Sequence, residues 1–407
     1  MDALMLPLNW QRVRLGDIAE IIGGGTPSTQ ITSFWNGSIN WFTPTEIGIT
    51  KYVYKSQRTI TPLGLKNSSA KLLPIGTILL TSRASIGDCA ILKVVATTNQ
   101  GFQSLIPLEK INNEFLYYLI LTLKNKLLKL ASGSTFLEVS PNKIKNLLIP
   151  LPPLNEQIAI ANILSDLDRY LCALDALILK KEGVKKALSF ELLSQRKRLK
   201  GFNQAWQRVK LGDIGITISG LVGKTKQDFI NGNAKYITFL NVLNNVIIDT
   251  SILENVKIYP NEKQNSFKKY DLFFNTSSET PKEVGMCAVL LDDIDQVFLN
   301  SFCFGFRIFD KAVDGLFLSY LINSEIGRKA FENLAQGSTR YNLSKSGFNN
   351  VCLSLPPLNE QIAIANILSA LDKEINTSLK NKKRQFENIK KALNHDLMSA
   401  KIRVLEK

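Results

Sequence analysis

Residues Leu151–Asp168 read LPPLNEQIAIANILSDLD, and residues Leu355–Asp372 read LPPLNEQIAIANILSALD. The two stretches differ only where Asp166 stands opposite Ala370, so the chain contains an internal repeat. Each copy of the repeat occupies about half of the 407 residues. Shorter matches recur in the same order: WQRV at Trp10 and Trp206, GDCAIL at Gly87 and GMCAVL at Gly285, FLYYLI at Phe115 and FLSYLI at Phe317, and KKAL at Lys185 and Lys390.

Each repeated stretch continues into a long apolar stripe. Apolar residues return at steps of three and four after Pro152-Pro153 and again after Pro356-Pro357, which is typical of a helix that packs along another helix. The stripe comprises Leu164, Leu167, Leu171, Leu174, Ile178, Leu188 and Leu192 in the first copy, and Leu368, Leu371, Ile375, Phe386, Ile389, Leu393 and Leu397 in the second. A helix of about 45 residues is roughly 65 Å long, which is more than a compact domain requires. We therefore expect the two helices to form an antiparallel coiled coil, the alternative being a core helix inside each domain.

The segment before each helix predicts a mixed α/β domain. Apolar spacing of three and four predicts one amphipathic helix per domain, at Glu114–Leu130 and at Gly315–Leu334. The expected fold class is α+β, with two pseudo-symmetric mixed α/β domains separated by the two long helices. Short β-branched and aromatic runs bounded by turn residues predict strands at Thr77–Thr81, Ala90–Thr97, Tyr236–Leu240 and Asp271–Phe274. The expected segments are 1–150 for the first domain, 151–200 for the first helix, 201–354 for the second domain and 355–407 for the second helix.

The charge balance favours a polyanionic partner. The chain has 50 Lys and Arg against 35 Asp and Glu, a formal net charge of +15. Basic residues that neutralise phosphates release condensed counterions, so nucleic acid is the first candidate partner and an anionic membrane surface the second. The longest apolar runs, such as Phe115–Leu123, fall short of the roughly 20 residues that a membrane-spanning helix needs. Because Met1–Trp10 also lacks the basic start of a secretory signal, we expect a cytoplasmic protein.

Residue types that carry catalysis or bind metals are sparse. Five cysteines and a single histidine, His395, have no zinc-ligand spacing, so we expect buried, reduced thiols and no metal. The stretch Gly220–Thr225 (GLVGKT) lacks the spacing of a phosphate-binding loop. The run Gly23–Gly25 lacks the spacing of a dinucleotide-binding loop. We therefore expect a non-catalytic chain.

These motifs together resemble the specificity subunits of type I restriction-modification systems. The resemblance covers nearly the whole chain, as domain, helix, domain and helix, with LPPLNEQ at the entry to both helices. The second domain departs from the pattern, with SGLVGKTKQDFINGNAKYITFLNV from Ser219 and no GGTPS, as the family would imply if the two domains read different sequences. Further stretches that resemble the family are GGGTPS at Gly23–Ser28, WNGSINWFTPTEI from Trp35, SRASIGDCAI from Ser82 and TNQGF from Thr98.

The resemblance implies a DNA-binding scaffold. Its two target-recognition domains would each bind one half of a bipartite site on double-stranded DNA. Its helices would set the spacing between the halves and dock two adenine methyltransferase subunits, and nuclease/translocase subunits would join the complex. S-adenosylmethionine, ATP and magnesium would then belong to the partner subunits, and this chain would hold no cofactor.

Polar loop residues flanked by cations are the best candidates for reading DNA. Hydrogen-bonding groups specify bases, while Lys and Arg on phosphates supply much of the affinity. The candidates in the first domain are Thr26, Ser28, Thr29, Gln30, Trp41, Thr43, Arg83, Ser85, Asn99, Gln100, Gln103, Ser134 and Thr135. Those in the second domain are Lys224, Lys226, Asn241, Asn275, Thr276, Ser277, Ser278, Lys282, Ser338, Thr339, Arg340, Tyr341 and Asn342. The alternative for each Ser, Thr or Asn is a turn residue bonded to its own backbone.

Two other functions remain open at this point. A nuclease would need clustered carboxylates for metal ions, whereas the acidic residues of this chain are dispersed along the sequence. A coiled-coil adaptor on RNA or on an anionic membrane would use the positive charge without reading a sequence.

Overall fold

The computed structural model describes residues 6–133, 137–332, 334–337 and 340–404. The chain divides into two compact units. Unit 1 comprises Met1–Asp175 with Lys382–Lys407, and unit 2 comprises Ala176–Asn381. The division between the units falls inside each of the two segments that the sequence predicts as long helices.

Unit 1 contains a mixed α/β domain built on a five-stranded sheet. The strand order in that sheet is Ala19–Gly23, Gln103–Pro107, Ile78–Leu80, Cys89–Leu92 and Tyr52–Val53, with the last pair parallel and the others antiparallel. A second sheet has the order Arg58–Ile60, Trp35–Phe42 and Ala96–Thr98, and Gln11–Arg14 pairs with Leu148–Leu151. α-Helices span Pro62–Lys66, Asn113–Leu130 and Pro141–Lys145, and 3-10 turns span Leu15–Asp17, Thr32–Phe34 and Pro44–Glu46.

Unit 2 contains a domain of the same plan. Its four-stranded sheet has the order Gly215–Ser219, Cys303–Ile308, Leu272–Asn275 and Cys287–Val289. The other sheets are Glu254–Val256, Ala234–Ile237 and Val297–Leu299; Gln207–Lys210 with Cys352–Leu355; and Ser277–Ser278, Tyr341–Leu343 and Ala335–Gln336. α-Helices span Leu211–Ile214, Phe239–Asn244, Gly315–Asn323, Glu325–Glu332 and Lys345–Asn349, and 3-10 turns span Lys226–Phe229, Thr250–Ile252 and Pro281–Glu283.

The two domains share one pattern of strand pairing. In unit 1 the central strand Trp35–Phe42 runs parallel to Ala96–Thr98 and antiparallel to its other neighbour. In unit 2 the central strand Ala234–Ile237 does the same with Val297–Leu299. The repeated sequence thus gives a repeated topology, and the predicted α+β class with two pseudo-symmetric domains is confirmed.

Two predicted elements are interrupted by capping side chains. The helix predicted at Gly315–Leu334 is two helices, because Ser324 adopts an extended backbone and its Oγ accepts a hydrogen bond from Gly327 N at 3.3 Å. The strand predicted at Tyr236–Leu240 ends at Ile237, because Thr238 caps the helix Phe239–Asn244. Local hydrogen bonding by Ser and Thr therefore overrides the apolar pattern at both places.

The two long helices pair in antiparallel fashion within each unit. The first long helix spans Leu154–Leu193. The second long helix consists of Leu358–Asp372, the π-helical stretch Lys373–Lys380 and Asn381–Met398 in succession. Rising residue numbers on one partner meet falling numbers on the other, as the predicted antiparallel pairing requires. The ion pairs include Glu156–Arg403, Asp168–Lys390 and Asp175–Lys383 in unit 1, and Lys181–Glu374, Glu182–Lys380, Lys185–Asp372 and Arg198–Glu360 in unit 2.

The apolar stripe of the second long helix departs from the prediction at one residue. Leu368, Ile375 and Leu397 are buried, as predicted, and Leu393 packs against the unit 1 core. Ile389 is 50% exposed, so its predicted place on the packed face is wrong. At about 100° per residue, Ile389 falls at the edge of the face that Phe386, Leu393 and Leu397 define. Leu379, which the heptad count omitted, is buried.

The glutamine of LPPLNEQ connects each long helix to its domain. In unit 1, Gln157 Oε1 accepts from Asn112 N at 3.0 Å, and Asn112 caps the domain helix Asn113–Leu130. In unit 2, Gln361 Oε1 accepts from Asp314 N at 2.9 Å, at the cap of Gly315–Asn323. Each glutamine also donates to the carbonyl of the first proline of its motif, at 2.9 Å and 2.8 Å. The motif therefore fixes how the domain helix packs against the long helix.

The cysteines are free, but they are not all buried. Burial raises the pKa of the Cys89, Cys287 and Cys303 thiols. Cys172 on the first long helix is exposed and Cys352 is partly exposed, so the prediction of buried thiols is wrong for Cys172. Across the described residues, no helix combines the length and the apolar character needed to cross a bilayer.

Candidate nucleic-acid interface

Three loops of the unit 1 domain meet through backbone hydrogen bonds. Gly25 N donates to Thr98 O at 2.8 Å, and Ser82 N donates to Gly101 O at 2.8 Å. We call the joined loops 24–31, 81–88 and 98–102 loop cluster 1. Most of the residues predicted to read DNA in this domain lie in loop cluster 1, although they are far apart in sequence.

Loops 24–31 and 98–102 are in close contact. A Cβ atom on Gly24 would lie 2.0 Å from Asn99 O, so no larger residue fits there without moving a loop. The Thr26 hydroxyl is hydrogen-bonded to the Gln100 side chain, and Asn99 Oδ1 accepts from Gly101 N at 2.8 Å. The predicted residues of loop cluster 1 that are exposed to solvent are Ser28, Thr29, Gln30, Ser85 and Gln100.

A pair of tryptophans supports loop 24–31 from the core. Trp41 is 4% exposed, and its Nε1 donates to Gly25 O at 2.8 Å. Trp35 packs against it edge to face at 5.0 Å, and its Nε1 donates to Ser28 O at 3.0 Å. Trp41 therefore supports the loop from inside the domain and is not placed at the surface, where the predicted contact with DNA would require it. Sequence reasoning missed the exposed Arg58, whose guanidinium lies 3.8 Å from the Trp35 ring centroid.

Three other predicted residues of unit 1 already have roles in the fold or lie inside it. Thr43 caps the turn Pro44–Glu46, and its Oγ1 donates to a Glu46 carboxylate oxygen at 2.8 Å. Arg83 pairs with Glu138 at 2.8 Å, which offsets its charge. Gln103 is 6% exposed, and its Oε1 has no bonding partner in the part of the chain that the structure describes.

The unit 2 domain builds the same loop framework. Leu221 N donates to Leu299 O at 2.8 Å, and Thr276 N donates to Phe302 O at 3.0 Å. We call the joined loops 219–225, 275–285 and 299–303 loop cluster 2. Asn300 Oδ1 accepts from Phe302 N at 2.8 Å, which matches the bond of Asn99 in unit 1.

A fourth segment adds a cation and an aromatic ring to loop cluster 2. Leu343 N donates to Thr276 O at 2.8 Å, which holds the strand Tyr341–Leu343 beside the cluster. The exposed Arg340 places its guanidinium 5.9 Å from the Phe302 ring centroid, and Phe302 is 54% exposed. Sequence reasoning missed Asn300 and Phe302, although Asn300 stands opposite Asn99 in the repeat and could have been found from it.

Several predicted residues of unit 2 are buried instead. Asn241 exchanges hydrogen bonds with the backbone of Asp249 at 2.9 Å and 3.0 Å. Asn275 donates to Glu283 O at 2.8 Å. Lys224 pairs with Glu262 at 2.5 Å, and hydrogen bonds from Lys224 and Gln264 lower the pKa of Glu262 to about 2. Their polar groups are bonded inside the protein, so they do not fit the predicted contact with bases. Ser277 and Ser278 are buried as well.

The remaining predictions divide into exposed residues and residues outside the described ranges. Lys226, Lys282 and Asn342 are exposed, like Arg340. Thr276 and Tyr341 are partly exposed, like Thr26 and Asn99 in unit 1. Ser134, Thr135, Ser338 and Thr339 lie outside the described residues.

Both loop clusters present hydroxyl and amide groups, and exposed cations lie at Arg58 beside loop cluster 1 and at Lys282 and Arg340 in or beside loop cluster 2. Such groups can bond base edges and phosphates. Among the residues with described positions, no three His, Cys, Asp or Glu side chains are grouped as metal ligands.

Comparison with known proteins assigns both halves of the chain to one family. The family model described as "Type I restriction modification DNA specificity domain" matches residues 7–181 and again residues 203–387. A specificity subunit of the type I restriction enzyme MjaIX from Methanocaldococcus jannaschii is 32% identical over 69% of this chain and 69% of its own length. The MjaVIII specificity subunit from the same organism is 27% identical over 99% of this chain and 95% of its own length.

Solved structures have the same fold over nearly the whole chain. The type I restriction-modification S subunit from M. genitalium superposes with a TM-score of 0.59 at 17% identity and covers 98% of both chains. The HsdS subunit from Thermoanaerobacter tengcongensis gives a TM-score of 0.53 at 17% identity and covers 97% of this chain and 98% of its own. The two matches to the family model and the 32% identical relative show that this chain belongs to the family of type I restriction-modification specificity subunits.

Proposed function

We propose that this chain reads a bipartite DNA sequence for a type I restriction-modification complex, one half with each recognition domain. The observation that carries the proposal is that one loop framework occurs twice with different side chains. Loop cluster 1 has Gly101 where loop cluster 2 has Phe302, and Gly25 where loop cluster 2 has Leu221. A shared framework with different surface groups suits two domains that read different bases.

Selection from a random pool of DNA duplexes tests this proposal. The full chain is assembled with its methyltransferase partners, and bound duplexes are sequenced and footprinted. We expect two specified and protected tracts separated by an unspecified gap, without cleavage by this chain. Binding without sequence preference would favour an adaptor, and cleavage by the chain alone would favour a nuclease; either result would contradict the proposal.

We further propose that the paired helices set the gap between the two tracts and dock two adenine methyltransferase subunits. Apolar side chains remain exposed at equivalent places of the repeat, with Ile158 at 41% and Ile362 at 40%. Such residues are candidates for burial by a partner protein. Ile158→Asp and Ile362→Asp should each reduce co-purification of the methyltransferase subunit, whereas Val184→Asp on the first long helix should have a smaller effect.

The division of labour in the complex is also a proposal. This chain would act without catalysis and without a cofactor of its own. The methyltransferase subunits would use S-adenosylmethionine, and the nuclease/translocase subunits would use ATP and magnesium. Since the DNA of the cell is the proposed target, the complex would work in the cytoplasm.

A further inference from the structure

Each unit contains the same group of three polar side chains. In unit 1, the Tyr118 hydroxyl donates to Asp168, and Lys390 pairs with the other oxygen of that carboxylate. In unit 2, Tyr320 donates to Asp372 at 2.6 Å, and Lys185 pairs with Asp372 at 2.5 Å. The lysine ammonium also lies near the tyrosine ring, 5.8 Å from the centroid in unit 1 and 5.9 Å in unit 2. We call these groups triad 1 and triad 2.

Each triad joins three separate elements. In triad 1 the tyrosine comes from the domain helix Asn113–Leu130, the aspartate from the first long helix and the lysine from the second. In triad 2 the tyrosine comes from Gly315–Asn323, and the two long helices exchange roles. The lysines are the first residues of the two KKAL motifs, so this contact accounts for a repeated motif that helix packing alone does not explain.

The triads are partly shielded from solvent. The side chain of Asp372 is 16% exposed and that of Lys185 27%, with 28% and 24% for Asp168 and Lys390. Charge-assisted hydrogen bonds at such depth are stronger and more directional than those of exposed ion pairs. Burial and the bond to aspartate also raise the pKa of Tyr118 and Tyr320, so both phenols stay protonated as donors.

We propose that triad 1 and triad 2 hold each recognition domain at a fixed angle on its pair of helix segments and thereby restrict the gap length that the DNA target can have. This inference rests on the proposed reading of a bipartite target. One extra base pair displaces a half-site by about 3.4 Å and turns it by about one tenth of a helical turn. A domain free to tilt could follow that change, whereas a domain held by three bonded side chains could not.

The two triads differ in their surroundings. In unit 1, Lys51 Nζ also donates to Glu114 Oε2, Ser165 Oγ and Tyr118 OH, at 2.8, 2.8 and 3.0 Å. In unit 2, Leu316 stands at the place of Glu114 in the repeat, so this extension is absent from its triad. We therefore expect the loss of the triad 2 lysine to have the larger effect on the gap-length preference.

The test compares duplexes that carry the selected half-sites with the selected gap or with a gap one base pair shorter or longer. Binding of the assembled complex is measured for wild type, Lys185→Met and Lys390→Met, and each half-site is also mutated in turn. We expect the wild-type preference for the selected gap to fall at least threefold in Lys185→Met and less in Lys390→Met. The base preference within each half-site should persist, and Lys185→Arg should restore the gap preference.

An unchanged gap preference in folded Lys185→Met would overturn the inference, as would a wild-type complex that tolerates all three gaps. Tyr320→Phe removes a single hydroxyl and serves as the test if Lys185→Met does not fold. A complex that selects no bipartite sequence would instead refute the proposed function, so the two failures are distinguishable.

Discussion

Arg403 Nη2 donates to Oε2 of Glu156 at 3.0 Å, and this contact closes the helix pair of unit 1 at the start of the first long helix. Glu156 is 7% exposed, and Trp10 Nε1 donates to the same oxygen at 3.1 Å. Arg198 and Glu360 form the equivalent pair in unit 2. The glutamate of LPPLNEQ therefore pairs with an arginine from the segment that follows the partner helix.

Replacement of Arg403 by Ala should destabilise unit 1 by about 1 to 2 kcal/mol. Breaking a fully buried ion pair costs roughly 3 to 5 kcal/mol, and an exposed pair contributes about 0 to 1. The Arg403 side chain is 38% exposed while Glu156 is buried, so an intermediate value is expected. Urea-induced unfolding measures the difference.

Lys401→Ala is the matched control for Arg403→Ala. Lys401, like Arg403, lies just after the second long helix. It pairs with Asp396 at 3.7 Å, and 47% of its side chain is exposed. Its loss should change the free energy of unfolding by less than about 0.5 kcal/mol. Equal effects of the two substitutions would show that burial of Glu156 does not matter.

Gly24→Ala should impair DNA binding through loop cluster 1. The new methyl group would lie 2.0 Å from Asn99 O and 2.4 Å from Thr98 Oγ1, so loop 24–31 or loop 98–102 must move. We expect at least a tenfold loss of affinity for duplexes with the first half-site, measured by fluorescence anisotropy. Preserved affinity would mean that the contact between these loops is not needed for reading.

Gly183→Ala is the control for Gly24→Ala, because the same substitution is made where there is free space for the new methyl group. Gly183 lies within the first long helix, and a Cβ there meets nothing within 4 Å. Alanine in a helix interior is more stable than glycine by about 0.5 to 1 kcal/mol. This variant should therefore be slightly more stable than wild type and should bind DNA as wild type does.

The fold was largely predictable because it is encoded twice. The repeated LPPLNEQ motif and the heptad stripe that follows it predict two similar domains and two paired helices from the sequence alone. The π-helical stretch Lys373–Lys380 was not predictable in this way, since the spacing of Ile375 and Phe386 fits a helix in either geometry.

The candidate interface was predictable as loops but not as side chains. Asn241 and Asn300 have the same side chain, and residue type alone does not distinguish their roles. Asn241 bonds the backbone of Asp249 inside the domain, whereas Asn300 belongs to loop cluster 2. Whether a side-chain amide is hydrogen-bonded inside the domain depends on backbone groups that are distant in sequence. Only the tertiary structure shows which backbone groups lie near it.

Acid should weaken unit 1 through Glu114. Burial alone would raise the pKa of Glu114, but hydrogen bonds from Lys51, Tyr52 and Ser165 outweigh it and lower the pKa from 4.5 to about 2. The folded chain thus binds fewer protons than the unfolded chain between these two values. The stability that this carboxylate contributes is present above pH 4.5 and is lost as the pH falls towards 2.

Glu114→Gln should remove this part of the pH dependence. The difference in free energy of unfolding between wild type and the variant should shrink as the pH is lowered from 4.5 towards 2, the two pKa values of Glu114 in the unfolded and folded chain. The exposed Glu109 is the control, since Glu109→Gln should give a difference that varies little over the same range. A constant difference for Glu114→Gln would show that its network does not shift its titration.

Arg340→Ala should weaken binding to the second half-site by about 1 to 3 kcal/mol if the guanidinium contacts a base. Arg340 is exposed beside Phe302, and no fold-stabilising ion pair of Arg340 occurs among the described residues. Affinity is measured as a function of salt with cognate and mutated half-sites. A base contact predicts relaxed specificity at one position, whereas a phosphate contact predicts uniform weakening and a salt slope reduced by about 1.

Arg208→Ala is the control for Arg340→Ala. Arg208 is an exposed arginine in the strand Gln207–Lys210, outside loop cluster 2, and its loss should leave specificity unchanged. Unchanged affinity and specificity in Arg340→Ala would remove this residue from the interface.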